Sequence, residues 1–350
     1  MSEVAGPSVT TPARVPGSTR RTTSIEMDMA HGQVLVGRAR DLVTPRRGDA
    51  VVVDEASFTA RIGEYRLGQA IEEIAGSPVI DGLDILVGRS AARGYRRELQ
   101  RLADEQGLVG RAIYQLLDDV PGASLVAGYS PELNRRDTDR GTDRPTDPRE
   151  VEEVAADGAP EHLLALTGVC AGWQEGGAIV TNVHQFGRVP IALGPEAPSL
   201  ARADDPLAWH EMPEPIPPHG MRRRRRIDVI PPPDGRGRLK VDAMFRDSYV
   251  TATGVETIVH EYTFTADVDP RTHVVLASEA VPRALPFAQC PEAGASAERL
   301  VGNGLDDLRA RIRAEFVGPT TCTHLNDMLR ALADVGVLAA RVGAVGAGPS

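Results

Sequence analysis

Val51-Val-Val-Asp-Glu-Ala-Ser-Phe-Thr-Ala-Arg-Ile62 and Thr257-Ile-Val-His-Glu-Tyr-Thr-Phe-Thr-Ala-Asp-Val268 are one strand written twice, 206 positions apart. Both are rich in the β-branched and aromatic residues that suit a pleated, half-buried surface. Val53, Glu55 and Phe58-Thr59-Ala60 recur as Val259, Glu261 and Phe264-Thr265-Ala266, whereas Asp54 becomes His260. At the same offset Arg40-Asp41 meets Arg246-Asp247, Gly48 meets Gly254 and Glu73 meets Glu279. Gly88, Ser90, Ala91, Arg93, Leu99 and Leu102 meet Gly294, Ser296, Ala297, Arg299, Leu305 and Leu308. This makes 15 identities in 68 ungapped pairs over residues 35–102, where chance gives roughly 4, so the reading is a duplicated unit. A two-residue slip continues it, with Val109-Gly110, Leu117 and Asp119 meeting Val317-Gly318, Leu325 and Asp327 at offset 208. The period is too long for a solenoid and implies two similar domains about a pseudo-twofold axis.

The expected fold class is α+β, with two pseudo-symmetric β-β-β-α-α copies. In the first copy, 24–128, strands are expected at 33–44, 50–62 and 65–74, separated at 44–49 by the turn signal Thr-Pro-Arg-Arg-Gly-Asp. Leu83, Leu86, Val87, Ala91, Tyr95, Leu99 and Leu102 recur at helical spacing over 82–106, and a second helix is expected at 109–119. The second copy, 221–340, repeats the order, with strands near 238–251, 256–268 and 273–281 and helices near 291–315 and 322–335. Residues 1–23 read as a disordered tail and 129–160 as a flexible linker of mixed charge with few apolar residues. Residues 161–220 form an intervening segment that opens with a short helix and holds a hairpin, 178–183 with 187–193. Residues 341–350 read as a tail without chemistry.

Composition bounds the function classes. A chain of 350 residues has room for about two domains. Its net charge of −10 argues against general nucleic-acid binding, which needs a basic face. The basic exception, Arg222 to Arg226, is placed just before a strand, as Arg20-Arg21 is in the first copy; the reading is charge balance, with an anion or carboxylate site as the alternative. No apolar run reaches the length of a membrane span and the N-terminus lacks a signal-peptide core, so a cytoplasmic location is expected. Three cysteines, Cys170, Cys290 and Cys322, do not make a disulfide framework and read as thiols or ligands in a reducing compartment.

Only the second copy carries soft ligands. His260 lies in mid-strand, Cys290 before a helix, and Cys322 and His324 at the start of the last helix; the corresponding first-copy residues are Asp54, Asp84, Tyr114 and Leu116. Thiolates and imidazoles suit zinc or an iron–sulfur centre, and a helix N-terminus favours a thiolate. Asp247, Glu261 and Asp327 are candidates to orient those ligands, to join them, or to contact a bound cofactor. The bland alternative is two apolar cysteines, a satisfied strand histidine and a helix-start polar group. Cys170, in the glycine-rich stretch 167–177, is a candidate further ligand with Trp173 and His184 as a wall, or else packs that segment against a copy; the glycine spacing is not that of a phosphate loop.

Met221-Arg-Arg-Arg-Arg-Arg-Ile-Asp-Val229, His260-Glu-Tyr, Pro286-Phe-Ala-Gln-Cys-Pro291 and Gly318-Pro-Thr-Thr-Cys-Thr-His-Leu325 together resemble an uncharacterised bacterial domain-of-unknown-function family, which implies no activity. Thr263 to Leu308 is similar to the U-type iron–sulfur scaffold and sulfur-acceptor proteins. That resemblance implies a three-stranded sheet with flanking helices, and it matches Cys290 and Cys322 to the scaffold's cysteines at its long and last helices. The scaffold's first cysteine and its aspartate fall around Ile258 and His260, and the histidine before its last cysteine is Thr321 here.

Three functions follow as expectations. The first is a metal- or sulfur-handling protein, with zinc, an iron–sulfur cluster or a persulfide held by His260, Cys290, Cys322 and His324 and a metal or sulfur donor as partner. The second is a Cys/His enzyme in which Cys290 or Cys322 acts as nucleophile or acid and His260 or His324 as base on a small organic substrate bound between the copies. The third is a non-catalytic binding protein.

Overall fold

The computed structural model describes residues 4–29, 32–63, 69–141, 161–213 and 215–346. Eight antiparallel strands form one sheet in the order β4-β3-β2-β1-β5-β6-β7-β8. They are β1 (Ser18–Asp28), β2 (Gln33–Thr44), β3 (Val51–Ile62), β4 (Ile71–Ser77), β5 (Met221–Ile230), β6 (Leu239–Val250), β7 (Glu256–Val268) and β8 (Val275–Ala284). Each set of four is a meander, and the two sets meet where β1 pairs with β5. The class is therefore mixed α+β, with one continuous sheet and several helices. No helix among the described residues is long and apolar enough to cross a membrane.

The two central strands were not legible as such. β1 starts at Ser18, so the expected tail is strand from that residue, and Arg222 to Arg226 lie inside β5 rather than ahead of it. A strand of five arginines stays in mid-sheet because all five are buried and each meets a carboxylate. Their side chains alternate between faces, as the period of two requires. Arg223 and Arg225 face a helical layer, where they meet Asp327 and Asp119. Arg222 and β1's Arg20 face a layer of extended chain and bond to the carbonyls of Pro213, Ala208 and Pro12. Leaving any of these charges unpaired would cost several kcal/mol.

The helical layer comprises α1 (Tyr95–Gln106), α2 (Ala112–Asp118), α3 (Val120–Ala127), α4 (Ser130–Gly141), α5 (Glu161–Leu164), α6 (Ala178–Phe186), α7 (Leu308–Glu315), α8 (Thr323–Ala331) and α9 (Val335–Gly346). α1 buries Tyr95, Leu99, Leu102 and Ala103 on one stripe, and its larger side chains each contribute about 1.5–3 kcal/mol of burial. Several expectations are corrected here. The region 82–106 is not one helix but a 3₁₀ turn at Leu83–Leu86 followed by α1, and 290–300 is likewise 3₁₀. The expected hairpin at 178–193 is helix α6, because Ile179, Val180 and Val183 face the core at helical spacing between the flanking Gly177 and Gly187. The first part of the expected linker is α4, pinned where buried Leu133 meets the core and Asn134 accepts from the Tyr249 hydroxyl. Residues 142–160 lie outside the described ones. The last helix continues to Gly346, and Arg341 reaches Asp41 and Asp54, so the expected tail carries charge to the sheet. Positions 65–68 of the expected third strand, 65–74, are also outside the described residues, and the strand observed there, β4, begins at Ile71.

Register details recur in the two halves. Pairing shifts between Asp41 and Leu42 opposite β3, and between Asp247 and Ser248 opposite β7. Arg21 grips Asp41 through Nε and Nη2 at 2.7 Å each, and Arg223 grips Asp247 the same way at 2.7 and 3.0 Å. In the fourth strands Arg61 pairs with Glu73 but Asp267 with Ala277, so the ungapped match of Glu73 to Glu279 is two residues out of register.

Candidate metal centre and its cavity

The site begins with the irregularity in β6 and β7. Asp247 stands opposite His260, and the pairing shift leaves Val259 without a partner there. On β6 and β7 both side chains point to the helical face, where α8 brings in His324 from its first turn. One ligand atom from each of Asp247, His260 and His324 lies within 4.8 Å of the others, and all three residues are buried. The two imidazoles stack, with centroids 3.8 Å apart and planes at 20°. His260 Nδ1 is 3.6 Å from Asp247 Oδ2, an ion-pair distance too long for a hydrogen bond. Both His260 Nδ1 and His324 Nε2 are buried without a hydrogen-bond partner.

The protonation states follow from burial and neighbours. Burial pushes the His260 pKa down against the opposing pull of Asp247. Burial and the adjacent His260 hold His324 well below its ordinary value. Burial raises Asp247, but the Arg223 guanidinium overcomes it and keeps the carboxyl well below the usual carboxylate range. The resting group is thus two neutral imidazoles and one carboxylate.

Not every expected residue joins them. Among the described residues no thiol belongs to this ligand group. All three cysteines are free and line one cavity beside it, of about 290 Å³, with His260, His324 and Asp327. The expected thiolate character is overturned: burial lifts Cys322 to about 12 and Cys290 higher still, which outweighs the helix start at Cys322. Glu261 lies on the opposite sheet face, bound to Arg246 Nε at 2.5 Å and accepting from the Ser8 amide at 2.7 Å. Asp327 borders the cavity but is engaged by Arg96 at 2.5 Å and Arg223 at 2.9 Å. Trp173 and Cys170 do form a wall, whereas His184 is exposed and does not.

The opposite wall was missed. Arg96, Gly122, Leu125 and Tyr129 come from the half without soft ligands. The apolar run around 120–127 was the one available signal, and it reads equally as core. Gly122 is required by close approach, since a Cβ there would overlap both the Asp327 carboxylate and the Arg223 guanidinium. The amide of Ala171 donates to Thr321 O at 2.9 Å, which fastens the intervening segment to the loop before α8.

Residues 221–338, which contain the whole ligand group, match a known family model. That model is DUF2889, described as a protein of unknown function. The DUF2889 match bears out the resemblance of this segment to an uncharacterised family; the match takes in β5 to β8 and α7 to α8 and stops short of Arg341. The cavity wall from Arg96 to Trp173 lies outside the DUF2889 segment. No curated protein and no solved structure matches the chain.

Proposed function

We propose that Asp247, His260 and His324 hold one divalent transition-metal ion, zinc or iron, with its remaining positions open to the adjoining cavity. The observation that carries this reading is the approach of one ligand atom each from Asp247, His260 and His324 to within 4.8 Å of one another, with a nitrogen of each imidazole buried and unpartnered. A ligating site would give both nitrogens a partner at once. Neutral imidazoles and an ionised carboxylate are also the states a metal requires. Two histidines and one carboxylate with open positions suit iron(II) or zinc, and the missing thiols favour a single ion over an iron–sulfur cluster. A bound ion would polarise an oxygen of a molecule in the cavity.

The first half supports the reading by contrast. We infer that the chain is an internal duplication, in which 247 − 206 = 41 and 260 − 206 = 54. Asp41 and Asp54 share the guanidinium of Arg341. One half thus seats a side-chain cation between two carboxylates. The other replaces Asp54 by His260, adds His324, and offers the corresponding place to a metal. Arg223 divides its charge between Asp247 and Asp327, so it does not by itself cancel the ligand carboxylate. Three free cysteines fit the reducing cytoplasm.

The test is metal analysis of untagged full-length protein prepared anaerobically. About one equivalent of zinc or iron is expected, lost in His324→Ala and in His260→Ala but kept in Cys290→Ser. Less than about a tenth of an equivalent, or content unchanged in both histidine variants, overturns the proposal.

A further inference from the structure

The cavity's chemistry narrows what it can hold. Among the described residues its body is apolar, built by Leu125, Tyr129, Leu166, Trp173 and Phe287. Among the described residues that line it, the two charged side chains are already matched: Arg96 binds Asp327 at 2.5 Å and also lies 3.5 Å from Asp118. A charged guest would therefore lose its hydration with no free countercharge to replace it, a cost of several kcal/mol. Among the described residues that line it, the buried side-chain atoms without a hydrogen-bond partner are at the histidine end, His260 Nδ1 and His324 Nε2. The volume, about 290 Å³, is close to twice the roughly 150 Å³ that accommodates a benzene ring.

We propose that the cavity binds a small uncharged organic molecule, one ring or its aliphatic equivalent, whose single hydroxyl or carbonyl oxygen points at His260 and His324. The oxygen's placement rests on the metal reading; the apolar, uncharged character rests on the walls alone. The charge-matched walls act as a filter, since a carboxylate or an ammonium of the same shape gains nothing from Arg96 or Asp327 that those two do not already give each other.

The test is calorimetric titration of the full-length protein, with its metal content measured in the same samples, against 4-methylphenol, 4-methylbenzoate and 4-methylbenzylamine. The phenol is expected to bind with a Kd at or below about 1 mM, and the two charged probes at least about tenfold more weakly. Leu125→Phe and Val169→Phe, which add bulk at two residues that line the cavity, are each expected to weaken the phenol about tenfold or more. Equal or tighter binding of the benzoate, no phenol binding by metal-containing protein, or undiminished binding in both folded variants overturns the proposal. Phenol binding by protein without metal, still blocked by the two variants, sinks the metal reading and leaves the uncharged-guest proposal standing.

Discussion

His260 and His324 lie face to face at 3.8 Å, closer than two imidazolium ions tolerate, and both sit beneath the surface beside Asp247. Their folded pKa values are lowered, so the unfolded chain binds more protons than the folded one once the pH drops through the ordinary histidine range near 6.5. Stability therefore falls on acidification in that window, by up to about 1.4 kcal/mol per pH unit for each histidine. His210, lowered to about 3 by burial on the other sheet face, adds to the same trend. Urea unfolding of metal-free protein at pH 7.0 and 5.5 should show the loss, smaller in His324→Asn; a flat profile contradicts the neutral, buried assignment.

Arg223 bonds to Asp247 and Asp327 from a position 1% exposed. Arg223→Ala strands the buried Asp247 carboxylate, leaves Asp327 with Arg96 alone, and is expected to cost about 3–5 kcal/mol. Arg238→Ala, whose partner Asp267 it meets at the surface with 55% of the arginine side chain exposed, is expected to cost under about 1 kcal/mol. Denaturant midpoints of the two variants decide this; similar losses would mean that the buried network carries no special weight.

Gly122→Ala drives a methyl group into the Arg223–Asp327 pair and is expected to destabilise by more than about 2 kcal/mol. At Gly343, inside α9 with open space at its Cβ position, alanine is expected to stabilise by up to about 1 kcal/mol. Thermal melts of both variants check the opposed signs.

Cys290 and Cys322 are buried with raised pKa values, so neither is expected to react with iodoacetamide at pH 7.5 on a timescale of minutes while the chain is folded. Mass spectrometry should find both modified only after denaturation. Rapid selective labelling of Cys322 in the native protein would restore the nucleophile reading.

Local pattern made the paired strands legible. β2, β3, β6 and β7 announce themselves through β-branched alternation, and the Asp54-to-His260 contrast is visible in the same alignment. β1, β5 and α6 escaped for physical reasons. β1 and β5 hide because buried arginines look like a solvated run until their carboxylates are found on Asp228, Asp247 and Asp327, far away in the chain. α6 hides because Ile179, Val180, Thr181 and Val183 have strand propensity, which the core overrides. The ligand set divided along the same line. His260 and His324 were named from the sequence with Asp247 as a candidate to join them, whereas Cys290 and Cys322 line the cavity outside the group that could hold a metal.

By itself the sequence determined the alternating strands, the α+β class and the half of the chain that carries Cys290, Cys322, His260 and His324, because these follow from residue type and short spacing. Only the tertiary structure decided that ten-residue β5 runs through the middle of one sheet, that burial rather than the helix start governs the thiols, and that the half without ligands supplies the cavity's far wall. Each of those depends on what lies opposite a side chain in space, and desolvation and charge pairing act across that distance without leaving a mark in the local sequence.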